Sequence, residues 1–183
     1  ALVLADRGQL DFDANVADYW PEFAQNGKEQ VKVWHFMNHA AGLSGLDVPM
    51  AGEDNYDWDK VVNALAAQAP WWEPGTATGY HAMTQGYLIG ELVRRITGKS
   101  LGRFFQDEIA GPLQADFFIG LPTSEFRRTG KLVVADQGND LAAGLGATED
   151  DSIPVRTCAS PYVKATDSWT DGWRQAEIPA ANG

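Results

Sequence analysis

Residues 71–98 read WWEPGTATGYHAMTQGYLIGELVRRITG, and the two halves of this stretch decide how the chain is built. The second half carries a helical period. Leu88, Leu92 and Ile96 form one stripe, Ile89 and Val93 widen it, Arg94 and Arg95 suit the negative end of a helix dipole, and Gly98 stands at the left-handed C-terminal position. The spacing predicts the best helix of the chain over about His81 to Thr97. The first half is punctuation: Pro74-Gly75 and Gly79 bring the backbone round sharply and leave Tyr80 at or just before the helix N-terminus. A phenol there feels the positive end of the dipole, which favours its phenolate. Taken alone, a single tyrosine at such a place reads first as structural. Gly86 and Gly90, four apart, clear one helix face so that a second backbone can approach, a packing role.

Working outward, Ala1 to Gly8 reads as the last turns of a helix ending at Gly8. Val33 to His39 reads as a brief helix running into a turn at Gly42-Leu43-Ser44-Gly45. Asp57 to Gln68 is a further helix, with Val61, Val62, Leu65 and Ala69 at spacings of three and four and Pro70 as its stop. Ser100 caps another through about Ile109, which Gly111-Pro112 ends. Two β-prone runs follow, Asp116 to Gly120 and Lys131 to Ala135. The remainder from Asp136 reads as Gly-, Asp- and Pro-rich connection, partly buried by Trp169 and Trp173. No internal repeat or low-complexity tract is present.

Composition narrows the function classes. The 183 residues are 44% hydrophobic, which suits one compact domain or a large piece of one. A net charge of −11 repels phosphate backbones, so nucleic acid is not an expected partner. No apolar run approaches the roughly 20 residues needed to cross a bilayer, so a soluble protein is expected. Cys158 is the single cysteine, which excludes an internal disulfide and calls for no oxidising compartment. The compartment is left open, with a lean to the cytoplasm. An apolar opening without an initiator Met, and an end at Ile178 to Gly183 without a closing element, lead us to expect an internal fragment.

Two short motifs invite chemistry and fall short of it. Gly42-Leu43-Ser44-Gly45-Leu46 departs from the Gly-x-Ser-x-Gly nucleophile elbow, because Leu46 stands at the last glycine and no β-run precedes it; Ser44 reads as a turn residue. His35 and His39 are spaced as zinc-protease ligands are, but Phe36 occupies the place of the glutamate. Two histidines closing a short helix read as structural or supporting, and no metal is assigned. A metal hydrolase using His35, His39, Asp150 and Asp151 is the weakest alternative, since runs like Glu149-Asp150-Asp151 are normally solvated.

A longer succession carries more. Leu4-Ala5-Asp6-Arg7-Gly8-Gln9-Leu10-Asp11, Val16 to Phe23, Val33 to Leu43, Trp72-Glu73-Pro74-Gly75-Thr76, Gly79-Tyr80, and Gly86 to Leu101, in order and spacing, resemble the serine β-lactamase-related family. The likeness is to the class C-like and penicillin-binding-protein-like branch that includes bacterial carboxylesterases and D-amino-acid-specific peptidases. It spans most of residues 1–122, and Ala176 to Gly183 resembles the esterase-type members. The resemblance implies an α+β fold of the β-lactamase/DD-peptidase type, with residues 1–183 a partial domain supplying mainly its helical part. Such a piece, lacking most of its sheet, is expected to be poorly soluble or molten in isolation.

In that family a Ser-x-x-Lys helix supplies the nucleophile, a Tyr-x-Asn element a phenol beside it, and a later strand a Lys-Thr-Gly-like or His-Gly-Gly-like triplet. Tyr80 matches the tyrosine, but Ala82 stands where the asparagine would be, which disfavours a lactam and leaves an ester more comfortable. No Ser-x-x-Lys occurs in the 183 residues. The resemblance therefore implies a serine hydrolase acting on a small ester or amide through an acyl-enzyme, with Tyr80 catalytic, His81 and Trp72 binding substrate, and no cofactor. Trp71 is a further pocket candidate, although each tryptophan reads equally as core. The fragment alone is expected to be inactive. Alternatives are a β-lactamase, a D-amino-acid peptidase, or a non-catalytic ligand-binding relative. Nothing in the sequence fixes the oligomeric state.

Overall fold

The computed structural model describes residues 1–130, 151–162, 167 and 170–178. Within them the chain forms helices α1 (Leu2–Asp6), α2 (Val33–Met37), α3 (Trp58–Ala67), α4 (Thr84–Thr97), α5 (Leu101–Phe105), α6 (Gly111–Leu113), α7 (Ile153–Ala159) and α8 (Asp171–Gln175). Extended pairing among the described residues is limited to isolated bridges, Asn15 with Lys32 and Ala51 with Tyr162.

The boundaries follow local chemistry. At the head of α3 the Asp57 carboxylate accepts from the Lys60 amide at 3.0 Å, and the helix stops short of Pro70. At the tail of α4, Gly98 takes φ +70° and donates its amide to Arg94 O at 2.8 Å, as its sequence position demands. Ser100 accepts from the Arg103 amide to open α5. Glu177, distant in sequence, adds its carboxylate to that same end, accepting from Ser100 Oγ at 2.7 Å and the Gly102 amide at 2.8 Å.

α4 packs against α2, α3 and α5. Its Tyr87, Leu88, Leu92 and Val93 meet Val61, Val62 and Leu65 of α3 and Phe36 of α2 in one core, which Leu4, Trp20, Phe23 and Ile178 complete. Gly90 makes room not for a backbone but for the Trp58 indole, whose ring would stand 2.5 Å from an added Cβ. That indole donates to Glu91, a fully buried carboxylate that also accepts from Arg94 and Arg95. Burial alone would raise the Glu91 carboxyl; these hydrogen bonds outweigh it and hold the group below its ordinary value. Lys28 is buried as well, its ammonium donating to Gln25 O and to Gln68 O at the end of α3, and burial pushes the amine down to about 8.

Four expectations change. The helix after Ser100 does not end at Gly111-Pro112: it widens into a π turn over Gln106–Ala110 and continues through α6 to Gln114 at φ +52°. The wider turn resets the register, so Pro112 sits in the first turn of a new segment where a missing N–H costs nothing. Asp116 to Gly120 forms no strand, because what lies beside it is helical: Leu121 donates to Arg174 O at the end of α8, and Gly120 packs on Gln175 and Glu177. The supposed connection after Asp136 contains α7 and α8, whose Pro154 stands in a first helical turn and whose Thr170 caps Trp173. Trp173 is buried in the core. Finally, α4 begins at Thr84 rather than His81, for a reason that lies in the site. Lys131 to Ala135 and Trp169 lie outside the described residues.

Candidate active site

Tyr80 stands at the surface, 71% exposed, on a segment that the core holds through its neighbours. The holding surface is residues 39–43, which leave α2 in two left-handed turns, His39 at φ +64° and Gly42 at φ +75°. Only glycine fits at 42, since an added Cβ would lie 2.6 Å from Trp72 O and 2.7 Å from Pro70 Cβ.

Residues 70–85 fasten along this spine by a series of hydrogen bonds. Trp71 donates its amide to Gly42 O at 2.7 Å, Gly75 to Ala40 O at 2.9 Å, and Gly79 to His39 O at 3.1 Å. The His81 amide donates to His39 Nδ1 at 3.2 Å, and the Leu43 amide donates to His81 Nε2 at 3.2 Å. Thr84 Oγ1, buried at the start of α4, donates to Leu43 O at 2.6 Å. His81 is thus committed to the spine, and the regular helix begins only after it, with Gln85 donating to His81 O. Tyr80 therefore lies four residues ahead of Thr84, where α4 begins, rather than at the N-terminus itself.

His81 is 1% exposed and uses both ring nitrogens internally. Nε2 accepts from Leu43, so Nδ1 carries the proton and donates to Gly79 O at 2.6 Å. Burial, the larger cause, and the adjacent His39 push the imidazole down to about 4, against a smaller opposing pull from Gly79 O. The ring is a neutral internal strut, and the substrate-binding role expected of it gives way to one of shaping the wall behind Tyr80. Trp72 is half-buried, its Nε1 donating to Ala77 O at 3.0 Å and its ring edge-on to His81 at 5.9 Å. The same indole lies over Gly79, where an added Cβ would come within 2.7 Å of Cη2. Trp71 points elsewhere, donating to Asp47 Oδ1 under the Arg156 guanidinium, 4.0 Å from its ring.

The remaining motif residues separate. His35 Nδ1 accepts from the Lys32 amide at 3.1 Å, at the head of α2, while its Nε2 lies beneath Gly75. His39 faces Tyr80 and His81, so the two histidines do not converge; among the described residues no three His, Cys, Asp or Glu side chains gather as a metal site would require. Asp150 lies outside the described residues. Ser44 is fully buried and shares a 2.7 Å hydrogen bond with Thr157 Oγ1 of α7. No helix among the described residues is long and apolar enough to cross a membrane.

Sequence reasoning singled out Tyr80 but not the spine beneath it. His39 and Leu43 of that spine pair with His81 and Thr84 about forty residues away, and a local pattern carries no signal of such pairing. Chemically, the arrangement offers a solvent-facing phenol on a rigid frame beside a neutral imidazole, a group able to pass a proton to a partner arriving from outside.

The pattern of the Beta-lactamase family matches residues 1–182. The chain is 36% identical, over 188 aligned residues and 98% of its length, to the Esterase/beta-lactamase LipL of Mycobacterium tuberculosis (strain ATCC 25618 / H37Rv), covering 43% of that protein. A family VIII carboxylesterase of known crystal structure superposes with a TM-score of 0.85 at 42% identity, over 98% of this chain and 46% of the other. A penicillin-binding protein homolog from Caulobacter crescentus gives 0.81 at 37% identity, over 98% and 46%. The chain spans less than half the length of these relatives.

Proposed function

The chain belongs to the beta-lactamase family, and from that premise we propose that the full-length protein is a serine hydrolase of the carboxylesterase type. Tyr80 is its proton-transfer residue, and residues 1–183 form part of an α+β domain whose sheet and nucleophile come from other stretches. The observation that carries this reading is the placement of Tyr80: an exposed phenol, at the family's tyrosine position, on a segment pinned at Gly79 and His81.

The chemistry runs in two steps. A serine hydroxyl attacks the ester carbonyl carbon while its proton passes to the Tyr80 phenolate, which the ammonium of the Ser-x-x-Lys lysine stabilises. Backbone N–H groups hold the tetrahedral oxyanion. Collapse breaks the C–O bond to the alcohol, and Tyr80 returns the proton to the departing alkoxide. Water then attacks the acyl-serine, giving its proton to Tyr80, and the released serine takes it back. Proton transfer of this kind contributes roughly 10²–10⁴-fold. Trp72 lines the approach, and Ala82, which has no side-chain amide to hold a lactam, supports an ester as substrate. The acidic surface suits a small-molecule substrate and no nucleic acid.

Tyr80→Phe in the full-length protein tests this. Turnover of p-nitrophenyl butyrate should fall by about 10²-fold or more, with the melting temperature nearly unchanged, since the lost hydroxyl belongs to an exposed ring. Near-normal turnover would remove Tyr80 from the mechanism.

A further inference from the structure

We propose that His39 is the positioning residue of the site, holding the Tyr80 phenol in its reactive place without touching substrate. The inference rests on the catalytic role proposed for Tyr80 and adds the device that aims it.

Three successive residues are attached to His39 by three different parts of it. Its carbonyl accepts from the Gly79 amide at 3.1 Å, its ring meets the Tyr80 ring edge-on at 5.0 Å and 70°, and its Nδ1 accepts from the His81 amide at 3.2 Å. The stretch leading to this point, Gly75 to Thr78, is exposed, so the anchorage of an exposed tyrosine falls to what lies directly beneath it. One residue clamps the segment immediately before, at and after the phenol.

The backbone of His39 gives an independent reason. A left-handed φ of +64° is costly for a residue with a β-carbon, and glycine would make the same turn more cheaply. Glycine serves at Gly42, three residues on, where space forbids anything larger. At position 39 the chain carries an imidazole through the unfavourable turn, with the carbonyl on Gly79 and the ring on Tyr80 and His81. Backbone strain held at a reactive segment points to a use there.

The chemistry of the ring agrees. An acceptor at Nδ1 requires the neutral form protonated at Nε2, and burial lowers the basicity of His39. A lysine or arginine at 39 would have no lone pair to offer, and an aliphatic residue would leave the His81 amide without its acceptor.

The test uses the full-length protein and p-nitrophenyl butyrate, with active sites counted by a fluorophosphonate probe and folding followed by the melting temperature. His39→Gly keeps the turn and the backbone acceptor and removes only the ring. We expect it to fold, to keep KM within about threefold, and to lose about 10²-fold in kcat per titrated site. His39→Asn tolerates the left-handed turn, and its Oδ1 overlays Nδ1, so its kcat should fall by only about three- to tenfold from wild type. The combination His39→Gly with Tyr80→Phe should be no slower than Tyr80→Phe alone, because His39 acts through the phenol. Full kcat in His39→Gly, or losses that multiply in the double variant, would overturn the proposal. If His39→Gly does not fold, the same cycle with His39→Asn decides: its smaller loss must vanish on the Tyr80→Phe background, and a loss that persists there, or none on the wild-type background, overturns it. An inactive wild type or an active Tyr80→Phe would instead overturn the function on which it rests.

Discussion

Replacing His81 with glutamine should remove one component of the protein's response to acid and so reverse the order of stability of the two proteins between neutral and acidic pH. His81 is 1% exposed, and its folded imidazole is pushed from the ordinary 6.5 down to about 4. Between these values the unfolded chain binds a proton that the folded chain refuses, so stability falls as the solution is acidified. Above pH 6.5 the two states bind alike and nothing is lost. The loss is complete below the folded value, at about 3 kcal/mol, and reaches about 2.5 kcal/mol by roughly pH 4.5.

Glutamine does not titrate, and its Oε1 reaches the place of Nε2, preserving the bond from the Leu43 amide. It gives up the Nδ1–H that donates to Gly79 O, at a cost of about 1 kcal/mol that does not depend on pH. At neutral pH the variant should therefore be the weaker protein by about 1 kcal/mol, and near pH 4.5 the stronger by about 1.5 kcal/mol. Urea unfolding of both full-length proteins at the two pH values reads the crossing directly. Carboxylates such as Glu91 titrate in both and cancel in the difference. Stability curves that stay parallel would show that His81 is not a buried neutral strut.

Two further substitutions probe the frame. Gly79→Ala places a Cβ 2.7 Å from Trp72 Cη2 on a backbone that alanine accepts, so the indole must shift; kcat in the full-length protein should fall by about 10²-fold. Glu91→Gln weakens the hydrogen bonds from Trp58, Arg94 and Arg95, but Arg94 keeps Asp59 and Arg95 keeps Glu22, so the cost should be about 2 kcal/mol rather than the larger penalty of stranding two charges, read as a lowered melting temperature with kcat per folded site unchanged.

What was legible in the sequence was what neighbouring residues decide among themselves. The caps at Ser100 and Gly98, the opening of α3 beside Asp57 and the apolar stripe of α4 need only a few residues of context, and each stands where its pattern put it. Pro112 misled for the complementary reason: a proline ends a helix or begins one according to the register of the preceding turn, which the residue itself does not encode. The β-prone run at Asp116 to Gly120 needed a partner edge and met helices instead.

The site divides along the same line. Tyr80 and His81 are adjacent letters, and a sequence reading naturally sends both toward the substrate. On non-helical backbone, successive side chains tend to opposite sides, and here one goes to water while the other is the buried acceptor for Leu43. Which of the two faces outward is settled at residues 39–43, where the chain after α2 turns left-handed and offers a carbonyl, a ring nitrogen and an amide to a segment forty residues away. A slip of one residue in that pairing would exchange the two side chains, burying the phenol and exposing the imidazole. The spine therefore sets more than stability: by fixing register it decides which of the two neighbours faces solvent and which is buried.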